Sequence, residues 1–183
     1  MKRISLACII ALVAAGAAFA QPTAAFADKP ALVTAIGQSA DFEMIKVLLT
    51  RSKIPFTANT LVMASDLNAS SKTLILVAGG SSKGLGAAGI SAEVELERTK
   101  ALLKRAKELK MKIITVHVGG VARRGPLSDS FIEICMAASD YAIIVADGDS
   151  DGLFTKLAGE AKIALTKVPK ISTVGAPLAA AFK

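Results

Sequence analysis

Short apolar runs alternate with amphipathic stretches along most of the chain. Three of the runs, TLILVA, KIITVHV and YAIIVA, are apolar at nearly every position, which is typical of strands buried on both faces of a parallel sheet. Together with shorter runs bounded by turn-forming residues, they predict six strands. These cover residues 31–37, 56–62, 73–78, 112–118, 141–146 and 164–168.

The stretches between the runs carry apolar residues three or four positions apart, which is the period of a helix. In the first stretch Phe42, Ile45 and Leu49 share one face. The second begins with acidic residues and ends with basic ones, as the helix dipole favours. The predicted helices cover residues 39–53, 91–110, a segment that begins at Ser128, 153–162 and 176–182.

This alternation predicts an α/β protein, because parallel neighbours in a sheet need crossover connections. We expect a three-layer αβα sandwich around an open parallel sheet. The expected strand order is the flavodoxin-like 2-1-3-4-5, with the sixth strand at an edge. Neither a linker nor an internal repeat interrupts residues 28–183, so they are expected to form a single domain.

Residues 1–27 have the pattern of a secretory signal peptide. Lys2 and Arg3 precede an apolar run over 4–19, and small residues follow that run. The run is short for a helix that spans a membrane. We therefore interpret this segment as a leader and not as a membrane anchor.

Cleavage of the leader is expected after Ala20 or after Ala27. The second position is favoured because Asp28 is the first charged residue after the apolar run. The mature chain, 28–183, is then expected in the periplasm or outside the cell. Its later apolar segments are all too short to span a bilayer.

Loss of the leader removes Cys8 and leaves Cys135 as the single thiol. A disulfide within the mature chain is then ruled out, and a hydrophobic core must supply the stability. Cys135 shares a predicted helix face with Phe131 and Ile132. We therefore expect it to be a buried side chain and not a reactive thiol.

The charge of the chain is mildly basic and does not indicate a nucleic-acid partner. The formal net charge is +7, and it falls to +5 when Lys2 and Arg3 leave with the leader. With one Tyr and no Trp, the chain lacks the aromatic side chains on which bases stack. Its lysines are spread along amphipathic helices, so we expect no nucleic-acid binding.

Open parallel sheets bind ligands outside the carboxyl ends of their strands, and polar residues and glycines follow the predicted strands at that edge. Arg123 and Arg124 lie in a loop, and their guanidinium groups suit a carboxylate or a phosphate. The alternative is that this pair binds the neighbouring aspartates. The predicted ligand-binding residues are Gln38, Ser39, Gly79, Gly80, Ser81, Ser82, Lys83, His117, Gly119, Gly120, Arg123 and Arg124.

The stretch GLGAAG, residues 84–89, fits the dinucleotide pattern G-x-G-x-x-G, but its context does not fit. The predicted strand has ended by Gly79, five residues before Gly84, and the next strand ends without an acidic residue for a ribose. Glu93 and Glu95 place negative charge where a pyrophosphate would sit. We therefore expect no nucleotide or flavin cofactor.

The overlapping stretch GSSKG, residues 80–84, fits the hydrolase pattern G-x-S-x-G. In that interpretation Ser82 is the nucleophile, His117 the base and Asp147 the orienting acid. The nucleophile of such enzymes lies on a direct turn from strand to helix, whereas nine residues separate Ser82 from the predicted helix cap at Ser91. A serine hydrolase is therefore kept as an alternative.

The stretch DGDSDG resembles the beginning of a calcium loop, with Asp147, Asp149 and Asp151 at alternate positions. The helical calcium loop also needs an acidic residue at its twelfth position, which here is Ala158. The other interpretation is a polar turn whose aspartates cap the following helix. We favour the turn and keep calcium as the alternative cofactor.

The strings IGQSAD, TLILVAGGSSKGLGAAGI, VHVGGVARRG and DGLF, behind an export leader, resemble a family of small exported bacterial proteins known only as a domain of unknown function. The resemblance covers almost the whole mature chain. It implies an extracytoplasmic bacterial α/β domain, and it brings no activity or substrate.

These observations favour a non-catalytic module that binds a small anionic molecule at the carboxyl edge of the sheet. Lys83, Arg123 and Arg124 would supply the charge. A single domain lacks the two lobes of typical periplasmic solute receptors, so, if it serves transport, an envelope or transporter protein would complete the site. The alternatives are the serine hydrolase and an envelope protein whose glycine-rich loop docks onto another protein.

Overall fold

The computed structural model describes residues 22, 24–70 and 72–183 of the 183-residue chain. Six strands form one sheet in which all neighbours are parallel, in the order 2-1-3-4-5-6. The predicted α/β architecture is thus confirmed, including the sixth strand at an edge. The strands are β1 (Ala31–Ile36), β2 (Phe56–Ala58), β3 (Thr73–Ala78), β4 (Lys112–His117), β5 (Tyr141–Val145) and β6 (Ala164–Val168).

Helices provide the crossover connections between parallel strands. Short 3₁₀ turns also follow β4 and β5, over Gly120–Arg123 and Ala146–Asp149. The helices are α1 (Asp41–Arg51), α2 (Ser82–Ala87), α3 (Ala92–Glu108), α4 (Pro126–Ala138), α5 (Leu153–Ala161) and α6 (Gly175–Ala180).

The sheet is covered on both faces, which explains why its central strands are apolar at successive positions. Val33, Ile75 and Ile143 point to the face that α1 and α6 cover. Leu74 and Ile144 point to the opposite face, which is covered by α3, α4 and α5.

The strand register brings the loops at the carboxyl edge into one row. Ile36 of β1 pairs with Ala78 of β3, and both are the last residues of their strands. His117, the last residue of β4, pairs with Ile144 of β5. The segments that follow these strands therefore begin side by side.

Two of the helix predictions are wrong in ways that affect this edge. The segment predicted as a glycine-rich loop contains α2, which begins at Ser82. Ser81 caps it, because its Oγ accepts a hydrogen bond from the Gly84 N–H at 3.0 Å. In addition, α4 begins at Pro126, two residues before the predicted start at Ser128, since proline is well suited to the first helical position.

The two ends of the described domain meet at the amino edge of the sheet. Ala27 N donates to the Ala181 carbonyl at 2.8 Å, and Lys183 N donates to the Ala27 carbonyl at 3.0 Å. Phe26 packs edge-on against Tyr141, with ring centroids 6.1 Å apart.

Residues 1–21, which make up most of the predicted leader, lie outside the described residues. Across residues 22, 24–70 and 72–183, the helices fall short of the length and apolarity needed to cross a membrane.

Candidate functional site

A cleft of about 350 Å³ opens at the carboxyl edge of the sheet. One wall is the segment 80–83, which leads from β3 into α2, and the other is the segment 122–128, which leads into α4. The cleft brings together several residues that the sequence predicted to bind a ligand. These are Gly80, Ser81, Ser82, Lys83, Arg123 and Arg124.

The two walls meet at Gly80, where the end of β3 touches the start of α4. A Cβ atom at this position would lie 2.8 Å from Leu127 Cγ and 2.9 Å from Ser128 N, so glycine is required for the close approach. The Gly80 N–H donates to Ser128 Oγ at 2.9 Å. These contacts fix the separation of the walls at the base of the cleft.

Two basic side chains in the cleft have no carboxylate partner among the residues that the structure describes. Lys83 is exposed on the first turn of α2, and Arg123 is half-buried at the end of its 3₁₀ turn. The start of α4 adds the Leu127 and Ser128 N–H groups, which have no intrahelical acceptor, whereas Pro126 has no N–H and Asp129 adds a carboxylate to the first turn. The cleft walls thus carry these two basic side chains and the amino end of a helix.

Arg124 is held by two carboxylates. Its Nε donates to Asp129 Oδ1 at 2.7 Å, its Nη2 donates to Asp151 Oδ2 at 2.8 Å, and its Nη1 donates to the Gly148 carbonyl. Hydrogen bonds with Asp151 and Asp129 raise the pKa of Arg124 above its ordinary value. The alternative in which the arginines pair with aspartates therefore holds for Arg124, whereas the guanidinium of Arg123 remains available.

The three aspartates after β5 have separate environments. Hydrogen bonding from Arg124 lowers the pKa of Asp151 to about 2. Asp149 lies 2.6 Å from Lys167 Nζ; burial raises the pKa of its carboxyl, but hydrogen bonds from Lys167 and Thr155 outweigh burial and lower it. Asp147 is exposed.

This arrangement fits the turn better than the calcium loop. Asp149 Oδ1 accepts the Thr155 N–H at 3.2 Å and so caps the start of α5. Within the part of the chain that the structure describes, no group of three or more His, Cys, Asp or Glu side chains is arranged to hold a metal ion.

His117 lies in the core and not in the cleft. Its ring is fully buried, with Nδ1 2.8 Å from the Ala78 carbonyl oxygen and Nε2 3.2 Å from the Gly120 carbonyl oxygen. Ser82 is exposed at the start of α2. Because α2 begins at Ser82, the expectation that the next helix starts only at Ser91 is wrong. The structure nevertheless does not assemble Ser82, His117 and Asp147 into a triad.

Gln38 and Ser39, which follow β1, also lie outside the cleft. Gln38 Nε2 donates to Glu95 Oε1 at 3.0 Å and to the Thr60 carbonyl at 3.1 Å. Ser39 Oγ accepts the Asp41 N–H at 3.2 Å. Both side chains therefore organise the turn between β1 and α1.

The remaining predicted residues, Gly79, Gly119 and Gly120, connect the strand ends to the cleft walls. A Cβ atom at Gly119 would lie 2.0 Å from Arg123 Cγ and 2.6 Å from Asp41 Oδ2. This Asp41 oxygen is buried without a hydrogen-bond partner in the described structure. Gly119 thus lets the stem of Arg123 lie close to the strand end beside an unpaired carboxylate oxygen.

The sequence interpretation missed a buried ion pair beneath this edge. Glu95 and Arg98 of α3 are both buried and lie 2.7 Å apart, although the sequence placed Glu95 in a charged first turn. The available signal was spacing: Glu95, Arg98 and Leu102 fall on one face at the helical period, and that face packs on the sheet.

Comparison with known proteins gives a family and no activity. No curated protein matches the chain. The crystal structure of a GDSL-like lipase from Bacteroides thetaiotaomicron is 10% identical and aligns with 74% of this chain, with a TM-score of 0.34. The chain spans 65% of that lipase, and a likeness this distant carries no argument about function. The sequence profile of a family described as a domain of unknown function (DUF6305) matches residues 28–182, so the chain belongs to the DUF6305 family.

Proposed function

We propose that the protein is an exported binding module that holds a small anionic molecule in the cleft at the carboxyl edge of the sheet. The observation that carries this proposal is the pairing pattern of the basic residues. Lys83 and Arg123 line the cleft without a carboxylate partner in the described structure, although Arg124 beside them has two.

The two free cations approach the cleft from different walls. Lys83 belongs to α2 and Arg123 to the 3₁₀ turn after β4, so an anion between them is bound from two sides. The guanidinium of Arg123 can donate two parallel hydrogen bonds to a carboxylate or a phosphate, while Lys83 acts as a point charge. In the first turn of α4, the N–H groups of Leu127 and Ser128 are further donors.

Arg124 has a supporting part in this proposal. Its pairs with Asp129 and Asp151 join the start of α4 to the segment before α5. The single positive charge of Arg124 offsets half of the negative charge of these two carboxylates. Arg124 therefore fixes the position of the wall that carries Arg123, and Arg123 binds the ligand.

The hydrolase alternative has less support. A general base must reach the proton that it removes, whereas His117 is buried and both of its ring nitrogens face backbone carbonyl oxygens. A role in docking onto an envelope protein is compatible with anion binding, because a transporter partner would contact the same edge of the sheet.

Calorimetric titration of the mature protein with small carboxylates and inorganic phosphate tests the proposal. We expect at least one of these anions to bind, and a Lys83→Ala, Arg123→Ala double variant to bind it about tenfold or more weakly, since charged hydrogen bonds contribute roughly 1.5–3 kcal/mol each. The matched control is Lys104→Ala, which removes an exposed charge from α3 and is expected to leave affinity unchanged.

Equal affinities in the wild type and the double variant would contradict the proposal, as would failure of every anion to bind. Hydrolysis of a model ester that is lost in Ser82→Ala would support the enzymatic alternative in its place.

A further inference from the structure

We infer that the ligand of the cleft is an organic acid with an apolar body, and not an inorganic oxyanion. This inference rests on the proposed function and specifies the class of anion. It follows from the apolar side chains that lie in and beside the cleft.

The wall that leads into α4 carries apolar side chains beside its two arginines. Ala122 and Pro126 are exposed and Leu127 is half-buried, and all three line the cleft. Val121, which precedes this wall on the same 3₁₀ turn as Arg123, is 58% exposed. Exposed apolar residues that gather beside a binding site are typical of surfaces that cover a ligand or a partner.

The cleft combines charged and apolar surface. Lys83 and Arg123 supply the cationic groups, while Ala122, Pro126 and Leu127 provide surface that cannot bind an anion. An inorganic oxyanion needs donors on all sides, and bound here it would leave the apolar surface in water. A carboxylate with a hydrocarbon body satisfies the cations and covers that surface together.

The size of the cleft agrees with this class of ligand. Its volume of about 350 Å³ is several times larger than the space of a few water molecules at about 30 Å³ each. It lies at the lower end of the range for small-molecule pockets, roughly 300–1,000 Å³. A short organic acid fills such a cleft better than phosphate or sulfate does.

The test compares hexanoate, acetate, hexanol and inorganic phosphate by calorimetric titration of the mature protein. We expect hexanoate to bind at least about tenfold more tightly than acetate, because each buried CH₂ group favours binding. Hexanol has the same body without the charge and is expected to bind more weakly than hexanoate. Phosphate is expected to bind more weakly than hexanoate as well.

Single substitutions show which side chains contact the hydrocarbon body. The quantity compared is the ratio of hexanoate affinity to acetate affinity, because a general loss of stability does not change this ratio. Val121→Ser and, separately, Leu127→Ala are expected to lower this ratio about threefold or more. The matched control is Val94→Ser on α3, a valine that is 54% exposed and lies outside the cleft, and it is expected to leave the ratio unchanged.

The outcomes separate this inference from the proposed function. Equal binding of hexanoate and acetate, or tightest binding of phosphate, overturns the inference and leaves an anion-binding module. A hexanoate to acetate ratio that survives in both cleft variants also overturns it. Failure of all three anions to bind overturns the proposed function and the inference together.

Discussion

Arg98 Nε donates to Glu95 Oε2 at 2.7 Å, and both side chains are buried beneath the turn that follows β1. Glu95 Oε1 accepts the Gly37 N–H at 2.8 Å. Arg98 donates to the Ala35 carbonyl at 2.6 Å and to the Val62 carbonyl at 2.7 Å. The pair therefore ties α3 to the end of β1 and to the segment after β2.

Replacing Glu95 with glutamine keeps the shape of the side chain and leaves the buried guanidinium without a counter-charge. We expect the free energy of unfolding to fall by about 3–5 kcal/mol, as measured by urea denaturation. The matched control is Glu97→Gln, which breaks the exposed pair with Lys100 and is expected to cost less than about 1 kcal/mol. Similar losses in the two variants would contradict the role of the buried pair.

The pair between Asp151 and Arg124 predicts a dependence of stability on pH. Arg124 holds the folded-state pKa of Asp151 at about 2, below its ordinary value of about 3.9. A carboxyl with a lowered pKa stabilises the folded state above its unfolded pKa, and this contribution is lost as the pH falls through the folded pKa. We expect the wild type to be more stable than Asp151→Asn above about pH 5 and to lose this advantage between about pH 4 and pH 2. Thermal unfolding of both proteins across this range measures the effect, and a constant difference would argue against the pair.

His117 is expected to contribute to stability and not to catalysis. Its replacement by alanine leaves the Ala78 and Gly120 carbonyl groups without their ring partners and opens a cavity. We expect a loss of about 2–4 kcal/mol in the free energy of unfolding. Ser82→Ala, at an exposed position, is the control and should change stability by less than about 0.5 kcal/mol. An unchanged stability of His117→Ala would show that the ring does not hold these strand ends together.

Cys135 is expected to be unreactive in the folded protein. The side chain is fully buried, and burial raises the pKa of its thiol well above the ordinary value, so the nucleophilic thiolate is scarce. Alkylation by iodoacetamide should be slow under native conditions and rapid in urea. Rapid alkylation of the native protein would show that α4 does not stay packed on the sheet.

The position of leader cleavage is expected to affect stability. Phe26 packs against Tyr141, and Ala27 is fully buried, so the proposed cleavage after Ala27 would remove both of these contacts. A chain that begins at Asp28 is expected to be about 2–4 kcal/mol less stable than one that begins at Ala25. Denaturation of the two chains measures this difference, and equal stability would show that the contacts of Phe26 and Ala27 are dispensable. The intact mass of the protein recovered after expression shows whether a leader is removed and where.

The fold was predictable because the strand signal is strong and local. TLILVA became β3 with the predicted bounds, and the apolar runs of β4 and β5 each end one residue earlier than predicted. A strand buried on both faces has an unbroken apolar pattern, and the helices between such strands force a parallel sheet. These features depend only on short segments of sequence.

The cleft was less predictable because it depends on contacts between distant segments. Gly84 and Gly86 disfavour a helix, so α2 was missed; Ser81 caps it, and Leu85 is buried beneath it. Arg124 pairs with Asp151, whereas Arg123 does not. This difference depends on where Asp151 lies in the fold, and the spacing of the three residues in the sequence does not reveal it.

Ala27 and Lys183 meet at the amino edge of the sheet, and this determines how the protein is oriented when it is attached to a surface. Ala27 and Lys183 are hydrogen-bonded to each other, whereas the cleft opens at the opposite edge of the sheet. A tether attached at either end therefore leaves the cleft directed away from the attachment point. Surface immobilisation through position 28 or through position 183 should give the same orientation, with the cleft facing the solution.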